Sequence, residues 1–100
     1  MNKREEIKKL IEDNDIDIIC LQETEITKFY NNQMLTLRDY NLEIEKNSVK
    51  GRVAIYIKNG INYVRRTELE GIDSHLVIVD IKVETQFRLI NLYRSFNPQN

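Results

Sequence analysis

The chain has 100 residues, with 15 Lys and Arg against 16 Asp and Glu, a formal charge of -1, 41% hydrophobic side chains, 3 Gly and 1 Pro. That length holds one domain at most, and nearly balanced charge with abundant apolar residues excludes intrinsic disorder. Residues 1–50 carry 8 basic and 11 acidic side chains and residues 51–100 carry 7 and 5. Neither half has the basic excess of proteins that grip DNA mainly by neutralising phosphates, so any phosphate chemistry must rest on a local site.

Asp17, Asp80 and Lys82 interrupt the longest apolar runs, which leaves nothing near the ~20 residues of a membrane helix. The first ten residues are rich in Lys and Glu and lack the apolar segment and cleavage site of a secretion signal. Cys20 is the single cysteine, so it has no disulfide partner within the chain, and with His75 alone it cannot build a zinc site. These features predict no membrane partner, no disulfide partner, and a cytoplasmic or nuclear location.

Asn2 with Glu5 three residues on makes a capping box, and Ile7, Leu10 and Ile11 follow at helical spacing, which predicts a helix over Lys3–Asp13. Residues 16–21 form a short branched apolar run that suits a strand buried on both faces. Residues 22–40 are irregular, with a helical turn expected around 28–37. Residues 40–45, 52–58 and 61–67 alternate as strands, and Asn59-Gly60 predicts a tight hairpin joining the last two, because both central residues of a type I′ turn need positive φ. Residues 75–83 and 87–94 are two more strands, antiparallel across a link of three residues. On the last strand Phe87, Leu89, Asn91 and Tyr93 share one face while Ile90 and Leu92 share the other. Such a sheet needs cover on both sides, by helices on one and a second sheet on the other. One helix is too little cover, so the chain reads as part of something larger.

The segment Asp17-Ile18-Ile19-Cys20-Leu21-Gln22-Glu23-Thr24 runs an apolar strand to its C-terminal end and sets a carboxylate there, where ligands gather in open α/β sheets. Glu23 shares a face with Ile19 and Leu21. From the residues alone it reads either as a strand-terminal surface carboxylate or as a ligand. Asn91-Leu92-Tyr93-Arg94 projects an Asn and a Tyr from one face near a strand end, with an Arg on the other. A phenol can donate to a phosphate oxygen and a guanidinium can clamp one, although half-buried packing explains Tyr93 equally simply. His75 reads as an ordinary residue at the start of a strand, and Cys20 as a small hydrophobe. Arg65 and Arg66 place one guanidinium on each face of their strand. The acidic group Glu12, Asp13, Asp15 and Asp17 lacks the glycine and the twelfth-position glutamate of an EF-hand and reads as a solvated helix end.

Taken in order, the segment from Asp17 to Thr24 ending Leu21-Gln22-Glu23-Thr24, the segment Gly51-Arg52-Val53-Ala54-Ile55-Tyr56-Ile57-Lys58-Asn59-Gly60, and Asn91-Leu92-Tyr93-Arg94 resemble the endonuclease/exonuclease/phosphatase superfamily. They are most similar to endonuclease domains of non-LTR retrotransposons, over nearly the whole chain. The resemblance implies an α/β fold, a DNase I-like α-β-β-α sandwich of four layers with mostly antiparallel sheets, here lacking the first strand and the C-terminal half. It implies Mg²⁺-dependent (or Mn²⁺-dependent) phosphodiester hydrolysis that nicks DNA, with Glu23 as metal ligand and catalytic residue and Tyr93 beside the scissile phosphate. Asn91 and Arg94 are the substrate-binding candidates. The Asp-x-Asn and final Asp-His motifs have no counterpart, so the chain is expected to be inactive alone. Relatives often carry Gly-Gly where this sequence has Gly51-Arg52, and Pro-Pro where it has Ser95-Phe96. The alternatives are a superfamily phosphoesterase of the inositol phosphatase or sphingomyelinase type, and a degenerate non-catalytic interaction domain.

Overall fold

The structure, a computed structural model, describes residues 3–22, 36–46, 51–71 and 75–93. Among the described residues one α-helix, α1 (Lys3–Asp13), is followed by β1 (Ile18–Gln22), β2 (Tyr40–Ile44), β3 (Val53–Lys58), β4 (Tyr63–Arg65), a 3-10 turn at Thr67–Leu69, β5 (Leu76–Ile81) and β6 (Phe87–Leu92). The strands form two antiparallel three-stranded sheets, β1-β3-β2 and β4-β5-β6.

The helix forms where the spacing of Ile7 and Ile11 predicts it, with Glu5 and Glu6 in the first turn favoured by the helix dipole. Asn14 closes it, donating both its backbone N–H and its Nδ2 to the Leu10 carbonyl at 3.1 Å. The predicted cap Asn2 lies outside the described residues. Ile7 and Ile11 pack with Leu21, Leu37, Tyr40, Ala54 and Tyr56 on the outer face of the first sheet.

The opposite face of that sheet meets the second sheet. Val53, Ile55 and Ile57 of β3 interleave with Val77, Val79 and Ile81 of β5, and all six are at most 1% exposed. Withdrawing each such side chain from water contributes about 1.5–3 kcal/mol. The described layers are therefore helix, sheet, sheet. The outer face of the second sheet keeps Val64, Ile90 and Leu92 exposed.

Two expectations change. β1 is an edge strand, so only Leu21 among its residues is buried and Cys20 is exposed. The strand buried on both faces is the central β3. The hairpin across Asn59-Gly60 is also absent. The turn is there, closed by the Ile61 N–H on the Lys58 carbonyl at 3.2 Å. However, only Gly60 has positive φ (98°), the pattern of a type II turn and not of type I′. Such a turn does not return the chain alongside β3. It carries it to the other sheet, where β4 pairs with β5 through Tyr63↔Ile81 and Arg65↔Val79. The helical turn expected around 28–37 falls almost wholly outside the described residues.

The stacked sheets are joined along both long sides by polar ties. On one side Glu43 of β2 accepts from Tyr63 Oη at 2.6 Å and pairs with Arg65 Nη1 at 3.0 Å. Arg65 also closes a two-nitrogen fork on buried Glu70 at 2.5 and 2.8 Å, and Glu70 accepts the Ile78 N–H at 2.9 Å. On the other side Gln22 and Asn91 make the join.

Candidate functional site

The strand registers decide which residues meet. Gln22 lies opposite Val53, Ile44 opposite Ala54, and Leu76 opposite Leu92. One end of the sandwich therefore collects the C-terminal ends of β1, β2 and β6 and the starts of β3 and β5. The chain leaves β1 there toward residue 23, enters β3 through Arg52, leaves β2 through Glu45, enters β5 through His75 and leaves β6 through Tyr93.

Asn91 is 3% exposed and faces inward, as the alternation on β6 requires. Its Nδ2 donates to the carbonyls of Leu21 at 3.2 Å and Ala54 at 3.0 Å, and its Oδ1 accepts from Gln22 Nε2 at 2.8 Å. Gln22 Nε2 also meets the Leu92 carbonyl at 2.8 Å. The amide of Asn91, expected at the substrate, is thus given over to fastening β6 onto β1 and β3. Glu23 and Arg94 lie outside the described residues. They follow in sequence the residues that this fastening brings together.

Tyr93 is half-buried and borders the core between the sheets. Its N–H donates to the His75 carbonyl at 3.0 Å, extending the β5–β6 ladder by one residue. The His75 ring stands edge-on to the phenol ring, centroids 6.1 Å apart at 84°. On the phenol's face lies the Arg52 guanidinium, its Cζ 5.3 Å from the ring centroid, within cation–π range. Arg52 Nε is buried and has no hydrogen-bond partner among the described residues.

Glu45 completes the group. Its side chain is entirely buried and both oxygens meet His75 Nδ1, at 2.9 and 3.0 Å. An ionised carboxylate can only accept, so Nδ1 carries the proton in this pair and Nε2 is the ring's second functional atom. Sequence reasoning set His75 aside and gave Glu45 no role. They lie 30 positions apart, on elements with no shared local pattern. The one available signal was the coincidence of the chain's only histidine and an alternation that turns Glu45 inward.

No set of three or more His, Cys, Asp or Glu that could hold a metal ion occurs among the described residues. Glu45, the carboxylate beside Tyr93, is occupied by His75, so the described groups at this end do not by themselves suit Mg²⁺, which takes hard oxygen ligands in an octahedron. The open depression of about 360 Å³ lined by Asp13, Asn14, Asp15, Asp39, Tyr40 and Lys58 lies at the opposite end of β3, and its Asp15 is paired with Lys58 at 2.7 Å. No helix among the described residues is long and apolar enough to cross a membrane.

Compared with known proteins, the chain matches no protein-family model, and neither a curated protein nor a solved structure matches it.

Proposed function

We propose that the chain belongs to a metal-dependent phosphodiesterase domain of the endonuclease/exonuclease/phosphatase type, with a DNase I-like sandwich, that nicks DNA. The observation that carries this reading is the tie from Gln22 to Asn91 and Leu92. It brings Gln22 and Asn91, 69 positions apart, to one end of the sandwich, which supports a site shared by the Leu-Gln-Glu and Asn-Leu-Tyr motifs. The order helix, sheet, sheet supports it as well.

On this reading Glu23 is the chain's ligand for Mg²⁺, with Mn²⁺ as substitute. When bound, such a metal polarises a phosphoryl oxygen and stabilises the departing 3′ oxygen. Tyr93 donates its phenolic O–H to a phosphate oxygen, and Arg94 contacts the DNA backbone. Asn91 acts at one remove: held by two buried hydrogen bonds and a third that is part-buried, it fixes the height at which β6 delivers Tyr93.

Paramagnetic broadening by Mn²⁺ detects even weak binding. Amide signals of Leu21, Gln22, Leu92 and Tyr93 are expected to broaden, and Glu23→Gln to remove the effect. In Mg²⁺, supercoiled plasmid should be nicked by a version extended at both ends and not by the 100-residue chain, and Glu23→Gln in the extended version should abolish nicking. Broadening centred on Asp13 and Asp15, or unchanged by Glu23→Gln, overturns the assignment.

A further inference from the structure

Among the half-buried arginines of the described residues, Arg52, Arg65 and Arg66, the ion pairs single out Arg52. Arg65 meets Glu43 and Glu70, Arg66 meets Glu68 and Asp80, and Arg88 meets Asp80. Arg52 is half-buried like Arg65, yet no carboxylate pairs with it among the described residues. Its contact is the face of Tyr93, and its buried Nε is without a hydrogen-bond partner. A buried guanidinium nitrogen without a hydrogen-bond partner is costly, and an anion is what relieves that cost.

The neighbouring carboxylate does not fill this role. Glu45 is wholly buried and turned onto His75 Nδ1, so its charge is sequestered from the surface. The His75 side chain itself is 25% exposed. This end of the sandwich thus offers a guanidinium and an imidazole on two sides of one phenol.

We propose that Arg52 and the imidazolium form of His75, whose Nδ1–H is spent on Glu45 and whose Nε2–H is then a donor, form an oxyanion subsite against Tyr93 that takes a phosphate group. The proposal rests on the reading of Tyr93 as a phosphate neighbour but requires no metal. Two sources share this chemistry, free phosphate and the phosphodiester backbone of a nucleic acid. A guanidinium binds phosphate through paired charge-assisted hydrogen bonds, and stacking on an aromatic ring holds its plane in place.

The test is a nuclear magnetic resonance titration in EDTA at matched ionic strength, with sodium chloride as control. One arm uses inorganic phosphate, the other an oligothymidylate lacking terminal phosphates. Saturable shifts are expected at the Arg52 Nε–H, the His75 ring and the Tyr93 amide. Losing the guanidinium's charge-assisted bonds in Arg52→Gln should weaken binding about tenfold, and Arg52→Lys should restore part of it. Arg38→Gln, at an exposed position on the other end of β2, should change nothing. Glu45→Gln should keep the fold and shift the His75 tautomer, read from its ring nitrogen signals. Binding of the oligonucleotide supports the subsite and identifies the backbone as its source. Binding of phosphate alone supports the subsite and counts against the nucleic-acid reading. Shifts no larger than in chloride, or equal in Arg52→Gln, or centred on Arg66 and Arg88, overturn it. Because metal is excluded, failure here leaves the Mn²⁺ experiment on Glu23 to stand or fall separately.

Discussion

Replacing Asn91 with alanine removes the tie that joins β6 to the first sheet. The side chain is 3% exposed, and its Nδ2 serves two strand carbonyls, of Leu21 and Ala54. Both are left buried without that donor. A buried hydrogen bond contributes about 1 kcal/mol net, and both carbonyls keep their places in the β1–β3 ladder, so losing the two together should cost about 2 kcal/mol. The third bond adds little, because Gln22 is exposed and keeps its contact to the Leu92 carbonyl. Against a typical total of about 5–15 kcal/mol, such a loss is large. Asn91→Asp is the sharper probe: it keeps the shape but points a carboxylate oxygen at two carbonyls, and should destabilise more than alanine. Urea unfolding followed by far-ultraviolet circular dichroism measures both, and Gln22→Ala alone should cost under about 1 kcal/mol as an exposed substitution. A loss below about 0.5 kcal/mol for Asn91→Ala, the range of neutral surface changes, or an aspartate variant as stable as the parent, refutes the reasoning.

Acid stability follows from the carboxylates held by arginines. Arg88's hydrogen bonds, followed by those of Arg66, hold the Asp80 carboxyl well below the usual range against the opposing effect of burial. Burial pushes Glu70 up, but the Arg65 fork and the Ile78 N–H outweigh it and leave it lowered. A lowered folded value means stability that is complete above the unfolded carboxylate range near ~4 and is lost as pH falls through the folded values. Thermal unfolding should therefore drop steadily below that pH, and Asp80→Asn should start lower at neutral pH and fall less steeply; an identical acid limb in the variant contradicts this. At the alkaline end, burial and then the Glu43 hydrogen bond push the Tyr63 phenol up to about 12. Its contribution is full below the ordinary phenol value of ~10 and is lost as pH rises toward the folded one. Burial pushes the Tyr40 phenol up as well, so phenolate absorbance should show a late component that Tyr63→Phe diminishes, and a late component unchanged in that variant would count against the Glu43 contact.

Much of the architecture was legible where local rules suffice. The spacing of Ile7 and Ile11 sets one face of α1, with Leu10 of the expected face left exposed, and alternation on β6 turns Leu89, Asn91 and Tyr93 inward and leaves Ile90 and Leu92 outside, although Phe87 at the strand's start is exposed too. The short link between β5 and β6 permits only antiparallel pairing, and they pair so. For the site, Tyr93 and Asn91 were legible as inward residues near a strand end, while Glu23 and Arg94 lie outside the described residues.

What local rules cannot reach is partner choice. Asn59-Gly60 specifies a turn with positive φ at its glycine, but a turn does not choose the sheet into which the next strand falls. That choice is made by Tyr63 and Arg65 pairing with Ile81 and Val79 of β5 and meeting Glu43 across the interface. Likewise β1 and β3 are both apolar in composition, and only the order β1-β3-β2 makes one an edge and the other the centre. The grouping of Glu45, Arg52, His75 and Tyr93 has the same origin. Each begins or ends a different strand, and only the registers of two stacked sheets set those four ends side by side. Periodicity records which way a side chain faces; what it faces is settled by long-range packing.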